Sequence, residues 1–144
     1  MKYPILLVCA LLTLLLCESA MAADATLCPS TIRVRQELVA AVAGWSAMQN
    51  DSPVQLAGIT FYDGPPAEKA SLAYDQITKA GRKQVATWRF ATEAGRATWV
   101  SCNYSGTTVE LTQSLPSKTT SCEVTYDPRR QIAGLPLIEK ITCK

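Results

Sequence analysis

Cysteine placement constrains this chain more than any other feature. Two of its six cysteines, Cys9 and Cys17, lie in an N-terminal stretch, residues 1–22, with the pattern of a signal peptide: a basic second residue, an uncharged apolar run and a final Ala20-Met21-Ala22. We therefore expect cleavage before residue 23 and an exported mature domain, periplasmic or secreted. A lipoprotein acylated at Cys17 is the alternative, but the bulky leucine before it disfavours acylation.

The four cysteines left in the mature chain predict two disulfides, because an exported domain with an even number of cysteines usually pairs them. They are too widely spaced for the close Cys-x-x-Cys pairs of a zinc site. The expected strand register places Cys122 opposite Cys143, with Cα atoms about 4.5–5.5 Å apart, within disulfide reach. The remaining pair is then Cys28–Cys102.

Composition indicates one globular domain over residues 23–144. Hydrophobic residues make up 48% of the chain and charged residues 18%, which excludes a disordered or fibrous protein. The chain has no histidine, so Ser–His and Cys–His nucleophile pairs are excluded. A net charge of +2 is too small for nucleic-acid binding. We expect no cofactor, no metal site and no transmembrane segment once the leader is removed.

Alternating apolar and polar residues predict antiparallel strands in the second half of the chain. The clearest pair is 99–104 and 108–112, joined by a two-residue turn at Ser105-Gly106 that would place Cys102 opposite Val109. A strand at 84–90 is expected to turn through residues 93–96 into the first of these. Further strands are predicted at residues 54–62, 121–126 and 137–143.

The last two predicted strands are joined by a loop that lies between two prolines. Centring this loop between residues 132 and 133 pairs Tyr126 with Glu139 and Val124 with Ile141. In the first half, residues 32–36 suggest a strand, and residues 37–48 fit a short helix. We expect a mainly β fold, a small antiparallel β-sandwich or barrel with two disulfides and at most one short helix.

The sequence names no catalytic residue but offers several candidates for binding. Trp88 and Trp99 fit either the core or an exposed recognition surface, and Trp99 is predicted on the face opposite Val100. Asp63 belongs to a strong turn signal, Asp63-Gly64-Pro65-Pro66. A basic cluster with the potential to steer an acidic partner or an anionic surface consists of Lys79, Arg82 and Lys83.

Short motifs along the mature chain carry a resemblance to a known family. They are Cys28-Pro29, Phe61-Tyr62-Asp63-Gly64-Pro65-Pro66, Trp88-Arg89-Phe90, Trp99-Val100-Ser101-Cys102-Asn103-Tyr104, Leu115-Pro116 and Cys122-Glu123-Val124-Thr125-Tyr126, together with Trp45. The chain resembles a family of exported proteins from Gram-negative bacteria, first catalogued as a hypothetical protein of Salmonella Typhi. The resemblance implies a periplasmic or secreted setting and brings no established activity.

We therefore expect a non-enzymatic binding module whose partner is an envelope or extracellular protein, of the inhibitor or immunity type. This expectation is an analogy from the class of domain and its compartment, since small exported β domains without catalytic signatures include inhibitors of cell-wall lytic enzymes and immunity proteins against envelope toxins. The alternative is a binder of small ligands, glycans or lipids that uses a barrel mouth lined by aromatic residues. An enzyme based on carboxylates is the third and least favoured possibility.

Overall fold

The computed structural model describes residues 26–48, 52–91 and 95–144, so the predicted signal peptide lies outside the described residues. The described chain forms nine strands and one short 3-10 helix. In chain order these are β1 Thr31–Ile32, β2 Val54–Asp63, the 3-10 helix Pro66–Glu68, β3 Ser71–Leu72, β4 Gln76–Ala80, β5 Lys83–Arg89, β6 Thr98–Tyr104, β7 Glu110–Ser114, β8 Ser121–Ile132 and β9 Leu135–Cys143.

The strands form two antiparallel sheets, which confirms the predicted mainly β fold. The first sheet has the order β1-β2-β6-β7, and the short strand β3 also pairs with β2, at residues 61 and 62, whereas β1 pairs with it at residues 54 and 55. The second sheet has the order β4-β5-β8-β9. Neither sheet closes on itself, so the fold is a two-sheet sandwich, and the barrel alternative is wrong. The barrel mouth invoked for a small ligand is therefore not formed by these strands.

An aromatic cluster joins the two sheets. Phe61 of β2 is fully buried, and its ring centroid lies 5.1 Å from that of Trp88 and 5.4 Å from that of Phe90. Trp88 of β5 and Phe90, which directly follows this strand, both point inward, as their alternation predicts. The rest of this core consists of Cys28, Leu56, Ala86, Val100, Cys102, Tyr104, Leu115, Cys122 and Val124.

A β-bulge in β2 changes which of its side chains face inward. The pairing of β2 with β6 shifts register between Leu56 and Gly58. On one side of the shift Leu56 is buried, and on the other side Ile59 and Phe61 point into the core. An unbroken strand with strict alternation could not bury all three of these residues, because side chains of odd and even positions face opposite sides.

Both predicted disulfides are present. Cys28–Cys102 ties the first described segment to β6 with a Cα–Cα distance of 5.7 Å. Cys122 and Cys143 are directly opposed on β8 and β9, with a Cα–Cα distance of 4.1 Å. The hydroxyl of Tyr104 donates to the carbonyl of Pro29 at 2.9 Å, which fixes the first segment at a second point.

The predicted register of the last hairpin is confirmed at one end and wrong at the other. Val124 pairs with Ile141 as expected, but Tyr126 pairs with Ile138 rather than Glu139, because a bulge follows Thr125. The strands also extend to a tight turn at Ala133-Gly134, where both residues have positive φ. A two-residue turn of this kind matches the twist of long antiparallel strands, so the hairpin is longer than predicted.

The predicted β6–β7 register is wrong by two residues. Cys102 pairs with Leu111 instead of Val109. The N–H of Ser105 donates to the Gln55 carbonyl of β2, so the hydrogen bonding between β6 and β2 continues into the first residue of the expected turn. The connection is lengthened, and Thr107 Oγ1 accepts the N–H of Val109 at 3.1 Å within it. A shift of two residues preserves which side chains share a face.

Two other expectations fail because they depend on contacts between distant parts of the chain. β5 and β6 are consecutive, but they lie in different sheets, and residues 92–94 between them are outside the described part. Residues 37–48 form no helix. They are exposed and contain a single turn in which the backbone N–H of Trp45 donates to the Val42 carbonyl. An apolar face without a surface to pack on gives a helix of this length little stability.

Candidate functional site

The structure places the two candidate tryptophans in different environments. Trp88 is only 6% exposed and donates its indole N–H to the Leu72 carbonyl at 3.1 Å, so it is a core residue that also holds β3. Trp99 is half-buried on the opposite face of β6 from Val100, as predicted. It pairs across strands with the half-buried Tyr62, which makes a small aromatic row on the outer face of the first sheet.

Asp63 lies beside this aromatic row, in a turn held by Arg96. The guanidinium donates to Asp63 Oδ1 at 2.8 Å, to the Asp63 carbonyl at 2.5 Å and to Glu68 Oε2 at 2.5 Å. No pattern in the sequence indicates this role for Arg96. One cation thus bridges two carboxylates, so the turn has a fixed shape and these three side chains together keep a net negative charge.

Gly64 allows this arrangement in two ways. Its φ of +92° lies in the region that favours glycine, and a Cβ built there would lie 2.5 Å from a guanidinium nitrogen of Arg96. Any side chain at this position would therefore push Arg96 away from Asp63. The Asp-Gly-Pro-Pro signal in the sequence corresponds to a closely packed turn.

The basic cluster divides into free and engaged members. Lys79 is exposed on β4, and Arg82 is exposed in the turn that follows Gly81. Neither has an ion-pair partner among the described residues. Lys83 is half-buried, and its ammonium contacts Glu139 and, at 3.1 Å, Asp127 Oδ2. The hydrogen bond to Glu139 raises the pKa of Lys83. Burial acts in the opposite direction and Asp127 in the same direction, and Lys83 stays charged. Lys83 is thus a structural member of the cluster.

Asp127 is the charged residue that sequence reasoning missed. It is 2% exposed in the bulged part of β8, and it accepts hydrogen bonds from the N–H and guanidinium of Arg129 and from Lys83. The guanidinium hydrogen bond lowers the pKa of Asp127 to about 2; the Arg129 N–H and Lys83 contribute in the same direction, and burial opposes them. Its position before Pro128-Arg129 is typical of an Asx turn, the one available signal.

The low pKa of Asp127 gives an expected pH dependence. Its ordinary value is 3.8, so the folded state binds this proton less readily than the unfolded chain, and the stabilisation is present above pH ~4. We expect this part of the unfolding free energy to be lost as pH falls through about 2. Asp127→Asn should be less stable than the parent at pH 7 and nearly equal to it at pH 2, measured by urea unfolding.

Glu123→Gln is the matched control for Asp127→Asn, since Glu123 is exposed on the same strand. It should follow the parent at every pH. If the difference in unfolding free energy between the parent and Asp127→Asn is the same at pH 2 and at pH 7, the assigned role of this carboxylate is wrong.

Comparison with known proteins identifies the family. A family model described as a type VI secretion system Tli immunity protein matches residues 50–144, about two thirds of the chain, which include β2 through β9. The chain belongs to this family. The searches of curated proteins and of solved structures each found no match.

Membership in the Tli immunity family makes this β-sandwich a protein-binding module of the immunity type, as expected from the sequence. Two further observations concern the described residues alone. They contain no helix long and apolar enough to cross a membrane, and no cluster of three residues suited to hold a metal ion. The disulfides fit an oxidising compartment.

Proposed function

We propose that this protein is a periplasmic, non-enzymatic immunity protein that binds and neutralises a toxin effector delivered by a type VI secretion system. The family match over residues 50–144 carries the proposal. The two disulfides support the compartment, since they form and persist where thiols can be oxidised. The signal-peptide pattern of residues 1–22 supplies a route to that compartment.

The construction of the domain is consistent with a binding role. A sandwich with a closely packed core and two disulfides keeps its surface nearly unchanged between the free and bound states. Binding by a preformed surface avoids much of the ordering entropy that a flexible binder loses. A rigid module of this kind suits a protein that must capture its toxin soon after the toxin arrives.

Competition between bacteria tests the proposal. A strain that lacks this gene should be killed by a sister strain with an active type VI secretion system, and it should survive beside a sister whose secretion system is inactive. The full chain supplied in trans should restore survival, and a chain without residues 1–22 should not, because it stays in the cytoplasm. Equal survival of the deletion strain beside both sisters would contradict the proposed function.

A further inference from the structure

Cations and carboxylates of the described chain are distributed unevenly. All described side-chain carboxylates except that of Glu123 already accept a hydrogen bond or ion pair from the protein. Several cations have no such partner, and the second sheet carries most of them: Lys79, Arg82, Arg89, Arg130 and Lys140. Among the described residues, the cations without an ion-pair partner are therefore concentrated on the second sheet.

Three of these cations lie at one end of the second sheet and are called the basic tip: Lys79, Arg82 and Arg130. Lys79 lies near the end of β4, and Arg82 lies in the β4–β5 turn. The contact between Lys83 and Asp127 holds that turn beside the bulge of β8, where Arg130 follows three residues after Asp127. All three side chains belong to exposed residues.

The basic tip adjoins an open strand edge. Among the described residues β4 pairs with β5 alone, and all five of its residues are exposed. Ile77 is 48% exposed, and Tyr74 just before the strand is 51% exposed, with its ring packed edge-on against Trp88. Apolar contact area, an aromatic side chain and unpaired backbone groups thus lie next to the free cations, a combination typical of protein interfaces.

We propose that the edge strand β4 and the basic tip form the surface that docks an acidic region of the toxin effector. This inference rests on the proposed function. A second copy of the chain is a poor occupant, because five of the eight described Asp and Glu side chains already pair with a cation of their own chain. The other three, Asp75, Glu110 and Glu123, lie in separate segments and form no acidic patch that could match the basic tip. The aromatic row is the weaker candidate, since Trp99 and Tyr62 are half-buried and the carboxylates of the turn beside them are already engaged by Arg96.

A charge-reversal variant tests the surface. Lys79→Glu with Arg82→Glu and Arg130→Glu should weaken binding of the effector that the parent neutralises by about 10- to 100-fold, and should abolish protection in the competition assay. The matched control reverses three exposed cations elsewhere, Lys69, Lys118 and Lys144, with the same change in net charge. The control should protect as the parent does, and thermal unfolding should show that both variants fold.

Salt provides a second measurement on the same proteins. Raising salt from ~0.1 M to ~1 M shortens the Debye length from about 10 Å to about 3 Å and weakens attraction between exposed charges. Parent affinity for the effector should fall steeply with salt, and affinity of the triple variant should fall less. An equal salt dependence in the two proteins would overturn the basic tip as the docking surface.

The outcomes separate this inference from the proposed function. If the parent and the triple variant protect equally, the docking surface is refuted and the immunity function stands. If the parent itself does not protect, both are refuted. A third outcome is that the parent binds vesicles containing phosphatidylglycerol, and that the triple variant loses this binding but still binds the effector. This result would assign the basic tip to a lipid surface and overturn the inference.

Discussion

A variant without the Cys28–Cys102 disulfide is expected to lose about 4 kcal/mol of unfolding free energy. The bond closes a loop with a sequence separation of 74 residues, and a long loop loses much conformational entropy in the unfolded chain when it is closed. The change is Cys28→Ala with Cys102→Ala, which leaves no free thiol in the core. Urea unfolding at neutral pH measures the loss.

The second disulfide supplies the comparison. Cys122–Cys143 spans only 21 residues, so Cys122→Ala with Cys143→Ala is expected to cost less, about 3 kcal/mol. The ranking of the two variants is the critical result. A larger loss from the shorter loop would show that local strain or packing, rather than chain entropy, determines what the disulfides contribute.

Phe61→Ala is expected to cost about 3–5 kcal/mol, as large aromatic-to-alanine changes in cores do. Phe61 is fully buried between Trp88 and Phe90, and it belongs to the first sheet while they belong to the second or directly follow it. Its removal leaves a cavity at the contact between the sheets. Near-ultraviolet circular dichroism should change as well, because the Trp88 ring loses its neighbour.

Two variants define what the Phe61 result means. Phe61→Leu keeps part of the volume and should cost on the order of 1–2 kcal/mol. Trp45→Ala removes an aromatic side chain that is 78% exposed and should change stability by no more than about 0.5 kcal/mol. A Phe61→Ala protein as stable as Trp45→Ala would refute the aromatic cluster as the joint between the sheets.

The sequence predicts the last hairpin well because its information is local. Two alternating strands with a loop between prolines fix which residues face each other, and the pairing of Val124 with Ile141 and of Cys122 with Cys143 follows. The bulge after Thr125 is invisible to this argument, since a bulge arises from packing and local twist rather than from the apolar pattern. The prediction therefore fails at Tyr126.

Sheet membership depends on contacts that alternation cannot specify. The sequence shows β5 and β6 as strands but does not indicate that the chain crosses between sheets after Phe90. For the same reason it could not tell Trp88 from Trp99: each alternates cleanly, and only the sandwich decides which face of each strand is covered. The apolar residues at 37–48 predict a helix that finds no surface on which to pack.

The candidate site was partly visible in the sequence. Lys79 and Arg82 stand out in the sequence as cations beside a glycine turn, and the structure brings Arg130 to the same end of the sheet through the contact between Lys83 and Asp127. Whether a cation is free depends on carboxylates far away in sequence, so Lys83 could not be separated from its neighbours. Asp127 was missed because burial of a single carboxylate leaves almost no trace in the order of residues.

The two disulfides also determine what a proteolytic cut does to the molecule. One covalent ring runs from residue 28 to residue 102 and the other from residue 122 to residue 143, so only residues 103–121 join the rings through the backbone alone. Trypsin cleavage after Arg82 leaves the fragments linked through a ring. Cleavage after the exposed Lys118 leaves two fragments held by noncovalent contacts alone, including the pairing of β5 with β8, and in denaturant they separate without any reducing agent.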